Sequence, residues 1–208
     1  MKSLKELVSH DNFCIVGNSP KEVGTGKGPL IDSYDSIIRF KNYDLTGDHA
    51  HDYGTRTDGW VTPFNLTQFY RDPAQYQSVC CCLPLEHKKW RRRFPGSNID
   101  YILISEYTEI EYIPVDIFEE IWSKYDRGQP SSGIITLYWI YRLTDKKIPR
   151  DNVFGFSMFD PDEAHHYYKR DNQDDDQYRL YLAQKWASTT PETHPRDIEL
   201  KIFEELTE

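Results

Sequence analysis

The chain has 208 residues, of which 38% are hydrophobic and 28% charged, a balance typical of a soluble globular protein with one domain and a substantial core. Its 34 acidic residues outnumber its 25 basic ones and give a net charge of −9. Nucleic acid is a poor partner for such a chain, because phosphate neutralisation needs a basic surface. No segment approaches the roughly 20 apolar residues that cross a bilayer, and the first residues contain no apolar stretch of the length expected for a signal peptide. We expect a cytoplasmic protein with a single domain over residues 1–208, or the catalytic part of a longer one.

One segment departs from the acidic balance. Residues 87–94 carry basic side chains interleaved with Trp90 and Phe94. This pattern is typical of the solvated face of a helix with an apolar anchor. The alternative is a peripheral contact with an anionic lipid surface, at the inner face of a membrane, or with an acidic glycan.

The four cysteines indicate a reducing compartment. Cys14 stands alone, and Cys80-Cys81-Cys82 form a run. Three adjacent cysteines on a strand alternate between its faces and cannot supply the tetrahedral spacing of a zinc site. We interpret the run as small apolar residues of a buried strand over 79–83.

Apolar runs of strand length alternate with amphipathic helical patterns along the chain. In chain order, the pattern predicts strands over 12–17, 34–40, 59–62, 78–83 and 101–105, helices over 115–124 and 134–143, a strand over 151–156 and a helix over 195–206. This alternation predicts an α/β fold with a mostly parallel sheet and helices on both faces. Ligands of such folds bind beyond the carboxyl ends of the strands.

The pattern stops between residues 157 and 176. Two acidic, turn-rich segments in this stretch flank the sequence His165-His166-Tyr167-Tyr168. A long polar loop inside a compact domain is typical of a functional or a disordered segment. Because this loop precedes His194, we interpret residues 157–190 as a mobile flap over the ligand site.

Two short turns have the composition of ligand-binding turns. Gly17-Asn18-Ser19 follows the first strand, where glycine permits close approach of a ligand and the asparagine amide both donates and accepts. Ser131-Ser132-Gly133 opens the helix over 134–143, and hydroxyls and orphan amides at a helix N-terminus suit an anion. A simple serine N-cap is the alternative for the second turn. A nucleoside-triphosphate loop at Gly26-Lys27 is excluded, since Gly28 replaces the Ser or Thr that binds Mg²⁺.

Four segments in this order and spacing resemble the long, short, third and very short sialylmotifs of the animal-type sialyltransferases, glycosyltransferase family 29. They are residues 13–19, residues 130–133, His166-Tyr167-Tyr168, and His194 with Glu199. The first likeness continues through Gly24, Gly26, Ile31-Asp32, Asp35, Ile38-Arg39-Phe40 and Tyr53-Gly54-Thr55-Arg56-Thr57-Asp58. The order is also similar to that of the bacterial family 42 sialyltransferases.

The resemblance implies a single Rossmann-like domain of the GT-A-variant type, a CMP-sugar donor and a glycan or glycolipid acceptor. It implies no cofactor and no metal. His194 is then the general base, because a histidine titrates near neutral pH and can take a proton from the attacking hydroxyl. His166 assists the leaving phosphate, with His165 as the competing candidate. The implied donor-binding residues are Gly17, Asn18, Ser19, Asn42, Ser131, Ser132 and Gly133, and the implied substrate contacts are Tyr167 and Tyr168.

Three departures from the family pattern bear on these roles. The family has an Asn two residues after Arg39, where this chain has Lys41 and then Asn42. Either Asn42 shifts into the site, or Lys41 contacts the donor phosphate instead. Lys169 replaces the usual acidic residue of the third motif, and residues 133–145 hold no cysteine that could pair with Cys14. Glu199 either orients the histidine loop or solvates its helix.

Two alternatives to a sialyltransferase remain open. Another CMP-activated acid such as Kdo shares the CMP and carboxylate groups, and a non-catalytic relative that binds nucleotide or glycan fits the lysine departures. Metal is not needed, because the donor has a single phosphate and no diphosphate for a divalent ion to bridge. We interpret the acidic pairs Asp160-Pro161-Asp162 and Asp174-Asp175-Asp176 as turn and solvated loop.

Overall fold

The computed structural model describes residues 1–63, 71–84, 109–160, 166–167 and 193–208. Six strands in this part of the chain form one sheet in the order β5-β4-β3-β2-β1-β6, and every pairing is parallel. They are β1 Phe13–Val16, β2 Ser36–Phe40, β3 Gly59–Thr62, β4 Ser78–Cys81, β5 Glu111–Tyr112 and β6 Val153–Phe154. The first four strands are buried along their whole length. Such strands appear in the sequence as continuous apolar runs, which is why their positions were predictable.

Six α-helices accompany the sheet within the described residues. They are α1 Leu4–Leu7, α2 Gly28–Asp32, α3 Asp48–Tyr53, α4 Val115–Ser123, α5 Ser132–Thr144 and α6 Arg196–Leu206. Alternate residues of β1 belong to different apolar clusters: Phe13 and Ile15 to one, Cys14 and Val16 to the other. The first cluster includes α1, α4, α5 and α6, and the second includes Ile31 of α2. The sheet is therefore covered by helices on both faces, as the sequence predicts.

The strand order reverses beside β1. The chain moves outward from β1 through β2, β3, β4 and β5, and then returns so that β6 pairs with the other side of β1. In parallel α/β sheets this switch point leaves a crevice at the carboxyl ends of the two strands. Gly17 follows β1 and Gly155 follows β6, so both lie at the crevice.

The structure corrects the predicted strand over 151–156. Arg150–Asn152 form a 3₁₀ turn, in which the amide of Asn152 donates to the carbonyl of Pro149 at 2.9 Å. The strand itself covers only Val153–Phe154, because Gly155 turns the chain with φ of 64°. The predicted strand over 78–83 ends early, at Cys81.

The remaining sequence predictions stand as follows. The strand over 59–62 and the helices over 115–124, 134–143 and 195–206 are confirmed to within two residues. Cys80 and Cys82 face one apolar cluster and Cys81 the other, as alternation on a strand requires. The predicted strand over 101–105, the basic segment 87–94 and most of the proposed flap 157–190 lie outside the described residues. Among the helices that the structure describes, none has the length and apolar character needed to span a bilayer.

Candidate active site

The turn after β1 is held against the turn after β6. The amide of Gly17 donates to the carbonyl of Phe154 at 2.8 Å, and the amide of Ser19 donates to that of Gly155 at 3.0 Å. A Cβ placed on Gly17 would lie 2.3 Å from the carbonyl oxygen of Gly155. Position 17 therefore needs glycine, because the backbone segments after β1 and β6 approach each other closely there.

Asn18 connects this turn to two other segments. Its side-chain Nδ2 donates to the carbonyl of Phe40, the last residue of β2, at 3.1 Å. Its own carbonyl accepts from the amide of Tyr167 at 3.0 Å. The short segment that carries His166 is thereby placed beside the first predicted donor turn.

The second predicted donor turn begins α5. The hydroxyl of Ser131 accepts from the amide of Ile134 at 3.2 Å, so Ser131 is the N-cap of the helix. The sequence offered two roles for this turn, an N-cap and an anion site, and the geometry is compatible with both. The N-cap leaves the amides of Ser132 and Gly133, in the first turn of the helix, directed out of the helix end.

A single aromatic ring brings the two turns together. A Cβ on Gly17 would lie 2.8 Å from the ring of Phe156, and a Cβ on Gly133 would lie 2.7 Å from it. The same ring packs edge-on against Phe40 with centroids 5.9 Å apart, and it stacks on Phe203 of α6 with centroids 6.2 Å apart. The two glycine-containing turns, which are far apart in sequence, therefore share one wall.

Glu199 lies at the base of the second turn and is fully buried. Its carboxylate accepts the amide of Ser131 at 2.9 Å, the hydroxyl of Ser131 at 2.7 Å and the hydroxyl of Tyr125 at 2.6 Å. Burial raises the pKa of Glu199, although these hydrogen bonds oppose the change. Of the two roles considered for Glu199, solvation of the helix is wrong, because this carboxylate holds Ser131 in place.

His194 is oriented by the same turn. Its Nδ1 lies 2.9 Å from the carbonyl of Gln129, and its ring stacks on Phe159 with centroids 4.9 Å apart. A carbonyl only accepts, so the hydrogen bond requires the proton on Nδ1. In the neutral imidazole, Nε2 is then the nitrogen that can take a proton, which is the arrangement a general base needs.

The segment 193–199 and the turn before α5 form one unit. Their contacts are an ion pair of Arg127 with Asp197 at 2.7 Å, a backbone hydrogen bond from Gln129 to Thr193 at 2.8 Å, and the bonds from Ser131 to Glu199. The neighbouring Arg196 pairs with Asp160 at 2.7 Å. The candidate base and the candidate donor turn are thus fixed to each other directly.

Tyr167 is an anchor of its segment. Its ring stacks on Tyr53 with centroids 3.8 Å apart, and its hydroxyl both donates to the carbonyl of Asp44 at 2.8 Å and accepts from the Asp44 amide at 3.1 Å. Burial raises its pKa to about 12. These contacts favour a packing role for Tyr167 over a substrate contact. His165, Tyr168 and Lys169 lie outside the described residues.

Asn42 makes a side-chain hydrogen bond to a residue outside the two turns. Its Oδ1 accepts from the guanidinium of Arg71 at 3.0 Å, and that guanidinium lies 3.7 Å above the ring of Tyr43. Lys41, the residue before it, has a positive φ of 49°. Asn42, one of the two residues that the sequence offered as substitutes for the family asparagine, is therefore held by Arg71.

The glycine-rich loop after the first turn holds an internal anion. The amides of Gly24 and Gly26 donate to the carboxylate of Asp52 at 2.7 and 2.8 Å. Burial acts to raise the pKa of Asp52, but these two amides and His51 lower it overall. Lys27 pairs with the buried Glu22 at 2.8 Å. This loop has the composition of a phosphate site, but its amides bind the carboxylate of Asp52 instead.

Three residues of the site carried little or no signal in the sequence. Gln129 orients His194 through its backbone carbonyl, which every residue type possesses. Tyr53 occurs within a quoted motif segment and Phe156 at the end of a predicted strand, but only the fold shows that Tyr53 supports Tyr167 and that Phe156 joins the two turns. Among the described residues, no group of three His, Cys, Asp or Glu side chains is placed to hold a metal ion.

Comparison with known proteins gives matches at the level of structure alone. No protein-family model and no curated protein sequence matches the chain. A mammalian sialyltransferase matches with a TM-score of 0.54 at 20% identity, over 87% of this chain and 68% of that one. The monofunctional α-2,3-sialyltransferase Cst-I from Campylobacter jejuni matches with a TM-score of 0.54 at 13% identity, over 95% and 72%. CstII from the same organism, in complex with CMP-3FNeuAc, matches with a TM-score of 0.54 at 13% identity, over 93% and 77%.

At these identities the likeness concerns the fold. It spans most of the chain and reaches both animal and bacterial enzymes, the two groups to which the motif order is similar. The chain therefore has a sialyltransferase-like fold of the α/β, GT-A-like type.

Proposed function

We propose that this chain is an inverting glycosyltransferase that moves a 2-keto acid sugar, sialic acid in the first instance, from its CMP conjugate to a glycan or glycolipid hydroxyl. One observation carries the proposal. The turns at Gly17 and Gly133 pack on the same ring of Phe156, and the turn before α5 orients His194 through Gln129. The sialyltransferase-like fold supports it, as do the ligands of the fold neighbours, a Gal-beta-1-3GalNAc compound in one and CMP-3FNeuAc in another.

The donor would bind between the two turns. The N-terminus of α5, a helix of 13 residues, presents the amides of Ser132 and Gly133 and the positive end of the helix dipole. An anionic group of the donor gains from both effects. The turn at Gly17 and Asn18 would support the nucleotide from the opposite side.

Transfer would proceed by direct displacement. Nε2 of His194 accepts the proton of the acceptor hydroxyl while that oxygen forms a bond to the anomeric carbon. The bond from the anomeric carbon to the phosphate oxygen breaks, and its electron pair leaves with CMP. His166, beside Asn18 through the hydrogen bond of Tyr167, is the candidate that offsets the charge growing on the phosphate.

Donor hydrolysis and nucleotide binding test the proposal together. The purified chain is incubated with CMP-sialic acid or CMP-Kdo, and CMP release is measured with and without a galactose-terminated acceptor. CMP should raise the melting temperature more than UMP, GMP or AMP at equal concentration, because a ligand bound by the native state stabilises it. Release of CMP from CMP-Kdo but not from CMP-sialic acid would identify Kdo as the transferred sugar. Stabilisation by CMP without release from either donor would indicate a non-catalytic binding protein, and equal shifts for all four nucleotides would contradict the cytidine assignment.

A further inference from the structure

The turn that supplies the ring beneath His194 has an unusual backbone conformation. Met158 and Phe159 are adjacent, and their φ values of 51° and 57° both lie in the left-handed region, which is unfavourable for a residue with a Cβ. Neither residue is a glycine, nor an asparagine or aspartate whose side chain could compensate by a local hydrogen bond. Backbone strain of this kind persists only where the surrounding structure fixes it, and it is concentrated at functional sites.

Three consecutive residues hold this turn in place. The side chain of Met158 is buried in the apolar cluster to which α6 contributes. The ring of Phe159 stacks on that of His194, with 22° between the ring planes and centroids 4.9 Å apart. Asp160 forms an ion pair at 2.7 Å with Arg196, the first residue of α6. The strained turn is therefore fixed against α6 and against the residues just before that helix.

A hydrogen bond at one nitrogen does not by itself fix an imidazole ring. The contact of Nδ1 of His194 with the carbonyl of Gln129, at 2.9 Å, restrains that nitrogen. Hydrogen bonds to a carbonyl oxygen have a broad range of directions, and the torsion that turns a histidine ring has broad minima. The face of Phe159 restrains the plane of the imidazole, because aromatic rings prefer an offset, parallel arrangement. The two contacts together determine where Nε2 lies.

We propose that Phe159 is a positioning residue for the transfer reaction: its ring keeps the imidazole of His194 in the plane in which Nδ1 meets Gln129 and Nε2 takes the proton of the acceptor hydroxyl. The proposal rests on the proposed function and deepens it, since Phe159 acts through the base and not on the substrate. A misplacement of about 1 Å in a catalytic group can cost about 10²-fold in rate. The ring therefore matters more for turnover than for the stability of the fold.

Three substitutions of Phe159 separate these two effects. Phe159→Leu keeps an apolar side chain but loses the aromatic face, so kcat for transfer from CMP-sialic acid should fall about 10- to 100-fold. Its affinity for CMP, measured by titration calorimetry, should stay that of the wild type. Phe159→Tyr keeps the face and should retain most of kcat. Phe159→Gly suits the positive φ, so it should have a melting temperature at least as high as that of Phe159→Leu and the same loss of kcat.

Nitrogen-15 NMR of the histidine rings provides a measurement that does not depend on turnover. The couplings between ring nitrogens and ring protons distinguish a neutral imidazole with its proton on Nδ1 from one with its proton on Nε2. The signals of His194 are identified by their loss in His194→Ala. The wild type should show the Nδ1–H tautomer, and Phe159→Leu and Phe159→Gly should show a mixture of both tautomers.

Tyr141→Leu is the matched control, because it removes one ring from an aromatic pair with Tyr138 inside α5, where the centroids lie 6.2 Å apart. It should change neither kcat nor CMP affinity. The assignment would be overturned by wild-type kcat in Phe159→Leu or Phe159→Gly, by an equal loss of kcat in Phe159→Tyr, or by an unchanged tautomer in the variants without the ring. A wild type that transfers no sugar would instead overturn the proposed function, and the tautomer comparison would still decide whether Phe159 orients the imidazole.

Discussion

The carboxylate of Glu199 receives two hydrogen bonds from Ser131, one from its amide at 2.9 Å and one from its hydroxyl at 2.7 Å. Ser131 in turn caps the helix that opens at the candidate donor site. Glu199, five residues after the candidate base His194, therefore holds Ser131, the first residue of the candidate donor turn. The spacing of His194 and Glu199 has a structural reason: His194 lies just before Pro195, the N-cap of α6, and Glu199 lies in the first turn of that helix, where it reaches Ser131.

Loss of the Glu199 carboxylate should be costly, and its isostere should not. Glu199→Ala leaves the Ser131 amide and the Tyr125 hydroxyl buried without their acceptor, at about 1–3 kcal/mol for each group. Glu199→Gln keeps an acceptor oxygen and should lose much less. Urea unfolding checks the difference, with Tyr125→Phe as the matched variant that removes a single hydrogen bond. Equal stability of the Ala and Gln variants would show that the network does not hold the turn.

Stability should depend on pH through the same group. Burial raises the pKa of Glu199 in the folded state above its value in the unfolded chain, about 4.3. The folded protein then binds this proton more tightly, so the free energy of unfolding should fall as pH rises from that value through the raised pKa. Glu199→Gln removes this contribution, and the difference between the two unfolding curves isolates it. A difference that is constant across pH would contradict the raised pKa.

Replacement of the candidate base should affect turnover more than binding. His194→Ala should lower kcat by about 10²- to 10⁴-fold, the usual contribution of a positioned general base, with little change in the affinity for CMP. His166→Ala should weaken both, since its proposed role is at the phosphate. The wild-type rate should rise with pH through an ionisation of the imidazole type, about 6.5 when unperturbed. This rise of the rate with pH should be absent in His194→Ala. Near-normal transfer by this variant would refute the assignment of His194 as the general base.

Chelation should leave transfer intact. The proposed donor has one phosphate, and its proposed contact at α5 comes from backbone amides, so no step calls for a Lewis acid. Initial rates in excess EDTA should equal those without it. Loss of activity that Mg²⁺ or Mn²⁺ restores would bring the acidic pairs into question, beginning with Asp160, which pairs with Arg196 here.

Addition of one methyl group at Gly17 should destabilise the crevice. Its Cβ would meet the carbonyl oxygen of Gly155 at 2.3 Å and the ring of Phe156 at 2.8 Å, and overpacking of this kind costs about 1–3 kcal/mol. Gly17→Ala should therefore lower both the melting temperature and CMP affinity. Gly47→Ala is the control, since that position has a positive φ of 55° but no atom within 4 Å. It should lower the melting temperature alone.

The four inner strands β1 to β4 were predictable because burial on both faces makes such strands largely apolar. The strand over Gly59–Thr62 was located to the residue on this basis. The helix over Asp48–Tyr53 was not predicted, because its sequence has no apolar period and its ends are set by Gly47 and Gly54, both with positive φ. Tertiary contacts, such as the burial of Tyr53, decide such a short helix.

The candidate site was likewise predictable from the sequence only in part. The turns at Gly17 and Ser131 have compositions that indicate a ligand, so their side chains could be chosen from the sequence. The role of Glu199 could not, because an acidic residue in the first turn of a helix is usually solvated, and its burial depends on Tyr125 from a distant segment. The substitution at position 41 was visible in the sequence, but the hydrogen bond from Arg71 to Asn42 was not, because the two residues are 29 positions apart.

Gly17 and Gly155 exclude side chains from each other's position, since a Cβ on the second would lie 2.6 Å from the carbonyl oxygen of the first. Homologous proteins should keep both glycines for as long as they keep this pairing of β1 with β6, whether or not they catalyse anything. The glycine pair is thus expected to mark ancestry, and His194, as the proposed base, is expected to mark activity. A relative that retains the pair and lacks the histidine would be expected to bind the nucleotide and to transfer nothing.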